Sequence, residues 1–233
     1  MKRCKISVII PRYNESHKLL RQTIERVDNF LSGKPLTYEI IVSQNGKDKK
    51  LSRFDKKISL LFDKKKGLGL AIKNAVQKAR GEYFYFLPAD IPYNFTDLEG
   101  MLKIFPLFDF IAGSKLHPQS IYQIGFLRKF ITLFQQKITA FFLPNLPIKD
   151  VNGTYFGNLK KIKRFILEIK SNDFFFGTEL LYKLHVHNFK ITEVPVIYKK
   201  LNTKSSVNLL RDGLNYLRQL LQLCIQNNFR VGH

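Results

Sequence analysis

The sequence predicts an α/β fold, a doubly wound, mostly parallel sheet with helices on both faces. Three observations carry this. Residues 6–10 (ISVII) and 83–87 (YFYFL) are apolar without alternation, as parallel strands covered on both faces are. Stretches with apolar residues every three or four positions separate such runs, so strands alternate with helices. Asp90 follows the second of these runs through Pro88-Ala89, and open α/β sheets bind ligands at the carboxyl ends of central strands.

The first strand, 6–10, ends at Pro11-Arg12-Tyr13-Asn14-Glu15. Asn14 or Ser16 caps a helix that keeps Leu19, Leu20, Ile24, Val27, Phe30 and Leu31 at helical spacing. A second strand, 38–43, closes at the turn Gln44-Asn45-Gly46, and a third spans 58–62. Lys64, Lys65 and Lys66 lead through Gly67-Leu68-Gly69 into a helix to about Ala79. Strand four is 83–87, a helix starts near Thr96, and strand five is 108–112. Residues 126–143 form an amphipathic helix. Leu127, Phe130, Ile131, Phe134, Ile138, Phe141 and Phe142 are on one face, and Arg128, Thr132, Gln135 and Thr139 on the other. A Phe-rich face beside basic residues suits a helix lying in a membrane interface; a core helix is the competing reading. Residues 152–158 form a short strand, a helix runs near 178–187, and 190–198 is a strand broken by Pro195, hence an edge. Ser205 or Ser206 caps a last helix carrying Leu210, Leu214, Leu217, Leu221 and Cys224.

The 39 Lys and Arg residues outnumber 18 Asp and Glu, for a net charge of +21. Such a field recruits polyanions: nucleic acid, anionic headgroups or phosphorylated substrates. The lysines are scattered and no recognition helix or stacking motif accompanies them, which argues against nucleic acid. Cys4 and Cys224 imply no disulfide framework and a reducing compartment. The apolar run 6–10 is too short for a signal peptide, and no uncharged apolar stretch is long enough to span a bilayer.

Several segments, in order and spacing, resemble the family 2 glycosyltransferases of the GT-A fold, in particular the branch of polyprenyl-phosphate and dolichol-phosphate mannose synthases. They are residues 7–15 (SVIIPRYNE), 38–46 (YEIIVSQNG), 65–90 (KKGLGLAIKNAVQKARGEYFYFLPAD), 108–115 (FDFIAGSK), 176–196 and 205–214. The resemblance implies one continuous GT-A domain, with a nucleotide-sugar-binding half at 1–115 and an acceptor-binding half with interfacial helices at 116–233. Pro11, Tyr13 and Glu15 would line the base and ribose pocket. Ser43 and Asn45 would meet the nucleotide. Ala89 and Asp90 would meet the diphosphate and its metal, Mg²⁺ or Mn²⁺, with Asp90 as metal ligand. Lys115 stands where the family has an Arg, and Arg128 with Thr132 matches the pair that holds the acceptor phosphate. The sequence also departs from the pattern. Gln44-Asn45 replaces a two-Asp turn, Pro88-Ala89-Asp90 replaces Asp-Ala-Asp, and Pro92 replaces a polar residue. The late Arg and Lys that clamp the diphosphate fall at Leu201 and Val207, with Lys199, Lys200 or Lys204 as substitutes.

The resemblance implies transfer of a hexose, with mannose first, from GDP-mannose or UDP-glucose to a polyprenyl or dolichyl phosphate. The enzyme would sit peripherally on the cytoplasmic face of an anionic membrane. An ionised phosphate needs no general base, whereas a hydroxyl acceptor would, with Glu179 the candidate. Transfer to a glycan hydroxyl and a catalytically weakened relative are the competing readings. His117, His185 and His187 show no metal spacing and read as surface residues.

Overall fold

The computed structural model describes residues 5–13, 15–46, 58–89, 95–123, 126–199 and 209–228. Its main sheet has seven strands in the order β3-β2-β1-β4-β7-β5-β8. They are β1 (Lys5–Arg12), β2 (Thr37–Asn45), β3 (Ile58–Asp63), β4 (Tyr83–Phe86), β5 (Phe110–Ser114), β7 (Thr154–Asn158) and β8 (Ile191–Pro195). All pairings are parallel except those of β7, which runs antiparallel between β4 and β5. β6 (Ile121–Gln123) and β9 (Ile197–Lys199) form a separate parallel pair. Pro195 ends β8 at the sheet edge, where a missing N–H costs no ladder bond.

Alternation along β1 sends its side chains to two cores. Ile6, Val8 and Ile10 meet Leu20, Ile24 and Val27 of α1 (His17–Ser32) and Leu98 and Met101 of α3 (Thr96–Ile104). On the other face, Ile9, Phe84 and Phe86 meet Ile72 and Val76 of α2 (Leu68–Lys78). The same core takes Ile162 of α5 (Leu159–Leu167) and Leu181 of α6 (Phe176–Val186). Ser16 caps α1, accepting from Leu19 N at 3.2 Å; Asn14 lies outside the described residues. α5 is an element that the strand-and-helix reading above did not contain.

Two helices stand apart from this three-layer body. α4 (Phe126–Phe142) and α7 (Leu209–Asn228) pack on each other around Leu143, Phe175 and Leu220. The start of α7 at Leu209 leaves Ser205 and Ser206 outside the described residues. Thr139, from the polar stripe, is buried and bonded to Tyr216 Oη at 2.7 Å, and Tyr216 Oη continues to Thr178 Oγ1 at 2.9 Å. Phe130, Phe134 and Phe141, from the apolar stripe, are 60%, 57% and 80% exposed. Leu214, Leu221 and Ile225 of α7 are exposed as well. Among the described residues, no helix is long and apolar enough to cross a membrane.

Candidate functional site

A cavity of about 720 Å³ opens at the carboxyl ends of β1, β2 and β4. β1 delivers Pro11 and Arg12, with Tyr13 next; β2 delivers Asn45; β4 delivers Phe86 and, past its end, Pro88 and Ala89. An antiparallel strand begins where its parallel neighbours end. The start of β7 therefore brings Asn152, Gly153 and Tyr155 to the same rim. First-turn residues of α2, α6 and α7 complete the wall: Leu68, Phe176 with Gly177, and Arg211 with Asp212. Helix N-termini carry unpaired N–H groups and partial positive charge, so this wall favours an anion.

One end of the cavity is built around Tyr13. Gly46 leaves room for its ring, since a Cβ there would come 2.7 Å from Tyr13 Cε2. The Lys66 ammonium lies 4.4 Å from the ring centroid. Glu15 Oε2 accepts from Tyr13 N at 2.7 Å, and Arg12 Nε donates to the Glu15 carbonyl at 2.9 Å, so the turn folds on itself. Asn45 is 2% exposed. Its Nδ2 donates to Gly67 O at 2.8 Å, which orients the amide; its Oδ1 is buried without a hydrogen-bond partner. Gly67 has φ +152°, and a Cβ there would sit 2.2 Å from Asn172 O, so only glycine lets the α2 turn close against that segment.

The wall after β4 is pinned from behind. Thr23 Oγ1 of α1 donates to Ala89 O at 2.6 Å. Asp97, fully buried in the first turn of α3, accepts from Tyr85 Oη at 2.9 Å and Thr154 Oγ1 at 2.6 Å, tying β4 to β7. Burial raises its pKa, opposed by the Thr154 and Tyr85 hydroxyls. Across the cavity, Asp173 Oδ2 accepts from Asn215 Nδ2 at 2.7 Å and Gln219 Nε2 at 2.9 Å, so one carboxylate ties α7 to the segment before α6. Asn152 Nδ2 donates to Gln135 Oε1 at 3.2 Å, joining the rim to α4.

Of the residues singled out in the sequence, Pro11, Tyr13, Glu15, Asn45 and Ala89 line this cavity. Ser43 does not; it is buried in β2, with its Oγ unpartnered. Thr132 lies half-buried on α4, outside the lining, and Arg128 is on α4 with its side chain outside the described residues. Asp90, Pro92, Lys200, Leu201, Lys204 and Val207 lie outside the described residues. Lys115 is not among the residues that line this cavity. Its ammonium is 2.7 Å from Asp150 Oδ2 and 3.1 Å from Asn152 O, because the turn after β5 faces the start of β7. The carboxylate of Glu179 is occupied too, accepting from Lys170 N, Ser171 N and Ser171 Oγ at 2.9, 2.9 and 2.7 Å. It braces the segment before α6. Among the described residues, no group of three or more His, Cys, Asp or Glu could hold a metal ion.

The seven-stranded sheet and its flanking helices have the architecture of a GT-A domain. Residues 7–162 match the sequence profile of glycosyl transferase family 2, and the chain belongs to that family. It is 24% identical to glycosyltransferase AglD of Haloferax volcanii over 94% of this chain and 36% of the relative. It is 27% identical to dolichol-phosphate mannosyltransferase of Pyrococcus furiosus over 83% of this chain and 56% of the relative. The chain thus spans about a third to just over half of these curated relatives. Glucosyl-3-phosphoglycerate synthase from Mycobacterium tuberculosis, solved with Mn²⁺, UDP and phosphoglyceric acid, superposes with a TM-score of 0.66. The identity is 17%, over 94% of this chain and 76% of that one. Mannosyl-3-phosphoglycerate synthase from Rubrobacter xylanophilus gives 0.59 at 12% identity, over 97% and 74%.

Proposed function

We propose that this chain moves a hexose, mannose first, from a nucleotide sugar (GDP-mannose or UDP-glucose) to a polyprenyl or dolichyl phosphate. Residues 1–115 would hold the donor, and 116–233 the acceptor and the membrane face. The observation that carries the reading is the unpartnered Asn45 Oδ1 in the cavity wall. A buried acceptor left empty is costly and is kept where a ligand supplies the donor. With one Nδ2 hydrogen tied to Gly67, the amide is oriented and Oδ1 is the buried acceptor left for a ligand. That suits the imino N–H of uracil or guanine, the bases of both candidate donors. Asn45→Ala should weaken UDP or GDP binding roughly tenfold, read by calorimetry. Unchanged affinity would remove the base from this end of the cavity.

The reaction breaks the anomeric carbon–oxygen bond, leaves the electron pair on the nucleoside diphosphate, and joins the carbon to an acceptor oxygen. Helix N-termini and the cavity cations stabilise the leaving charge. Mg²⁺ or Mn²⁺, held by Asp90 and the diphosphate, would add a Lewis acid. A phosphate acceptor agrees with the carboxylates in view. Glu179 is spent on its neighbouring segment, and Asp173 on α7, so neither is poised as a base for a hydroxyl. Incubation with labelled GDP-mannose and UDP-glucose, with polyprenyl phosphate or a soluble hydroxyl acceptor, tests the reading. Label appearing only on the hydroxyl acceptor would overturn it.

A lipid acceptor requires the site to reach a membrane, and the outward apolar stripes of α4 and α7 would do so from the cytoplasmic side. Lys129 and Lys137 are exposed on α4, which carries no acid, so the surface is matched to anionic headgroups. Charge alone would be released by salt, whereas inserted rings would not. Replacing Phe130, Phe134 and Phe141 with Ser should abolish liposome binding in high salt while leaving Tm nearly unchanged, since all three rings are already exposed. Retained binding would place the contact elsewhere.

A further inference from the structure

The cations that line the cavity are not equivalent, and one of them belongs to the lysine run that leads into α2. We propose that Lys66 is the cation that takes the diphosphate of the donor, an inference that rests on the cavity being a nucleotide-sugar site. Three cationic side chains line it among the described residues, Arg12, Lys66 and Arg211. Arg12 is 2% exposed, with Nε committed to the Glu15 carbonyl. Arg211 has Asp212 Oδ1 3.3 Å from its guanidinium, which offsets its charge at the wall. Lys115 is paired with Asp150 and lines no part of the cavity. Lys66 is exposed, and its contact is the face of Tyr13. An exposed ammonium holds an aromatic ring weakly, whereas a phosphate offers a charge-assisted hydrogen bond, so the exchange is favourable.

The root of this side chain is fixed while its arm is not. The next residue, Gly67, is bonded through its carbonyl to Asn45 and abuts Asn172 O. From that anchor a four-carbon stem can swing from the ring to an anion in the same cavity. The movement does a second thing: it uncovers the Tyr13 face. A donor that draws Lys66 away by its diphosphate thereby opens an aromatic surface for its base. Lys66 stays protonated throughout, and no covalent bond to it forms.

The test is calorimetric titration of the full chain with GDP, UDP, guanosine and uridine at low salt. Lys66→Gln should weaken the bound diphosphate roughly tenfold and its nucleoside by less than about twofold; Lys66→Arg should keep most of the affinity. Lys64→Gln, an exposed neighbour outside the cavity, serves as the charge control and should change neither. Equal losses for diphosphate and nucleoside would mean that Lys66 acts only by holding Tyr13, and would overturn the proposal. So would a Lys66→Gln chain that binds the diphosphate as tightly as the wild type. A wild-type chain that binds neither GDP nor UDP would instead sink the functional reading itself, and this inference with it.

Discussion

Asp90→Ala should reduce sugar transfer by about a thousandfold or more, to background, with no loss of stability. Pro88 and Ala89 stand on the cavity wall, and Thr23 fixes the Ala89 carbonyl from α1, so the chain leaves β4 beside the proposed diphosphate position. Asp90 is the next residue, and the resemblance makes it the remaining acid of an Asp-Ala-Asp sequence. With one protein carboxylate, a hard cation would take its other ligands from the diphosphate and water. Activity should therefore vanish in excess EDTA and return with Mg²⁺ or Mn²⁺. Full turnover in chelator would remove the metal from the scheme, and an Asp90→Ala chain with normal activity would remove Asp90.

Asp150→Ala should cost about 3–5 kcal/mol of stability, a fall in Tm of about 6–20 °C for a chain of this size. The side chains of Lys115 and Asp150 are 10% and 4% exposed, 2.7 Å apart. Removing one partner strands the other's charge where water barely reaches. Asp150 also accepts from Lys115 N at 2.8 Å and Asn152 N at 3.2 Å, so its loss frees both the turn after β5 and the rim that carries Asn152. Gly153 sits in the same tight passage, where a Cβ would come 1.8 Å from Gly113 O. Thermal unfolding by circular dichroism reads the effect; a Tm within 2 °C of wild type, roughly 1 kcal/mol, would show that water or Asn152 takes over the ammonium.

The strands that were legible in the sequence are those whose burial is local in origin. Residues 6–10 and 83–87 are apolar on both faces, and the sheet buries both faces there. Strand five was read two residues early, because Phe108 and Asp109 look like strand. Asp109 N and Phe110 N instead bond to Lys190 O, and the ladder with β7 begins at Phe110. α5 escaped notice although Asn158 caps it and Leu159, Ile162 and Ile166 keep helical spacing; nine residues crowded with lysine and arginine gave a short signal. Among the cavity-lining residues, Asn45 at the end of β2 and Ala89 three residues past β4 were picked out by the family resemblance. Lys66 was read only as part of the run before the α2 turn. Asp173, Asn215 and the Lys115–Asp150 pair were not, since each depends on segments tens of residues apart meeting at one rim. The amphipathic period of α4 was plain in the sequence. Which positions face inward was not, because they come from both stripes: Thr139 bonds Tyr216 on a different helix, while Ile138 and Phe142 pack around Leu143, Phe175 and Leu220.

The position of β7 bears on how the chain acquires its fold during synthesis. A sheet whose sixth and seventh strands in space come from residues 110–114 and 191–195 receives its fifth from 154–158. A nascent chain that has reached residue 115 holds β4 and β5 with nothing between them, each with an open row of N–H and C=O groups. Closure waits for some forty more residues, so the pairing is non-local and slow by nature. Until β7 arrives, the edge of β4 (YFYF) and the short strand β5 (FIAGS) are open, the state in which such chains are most prone to pair with one another. The first five strands in sequence therefore cannot complete this sheet until residues 154–158 have been made.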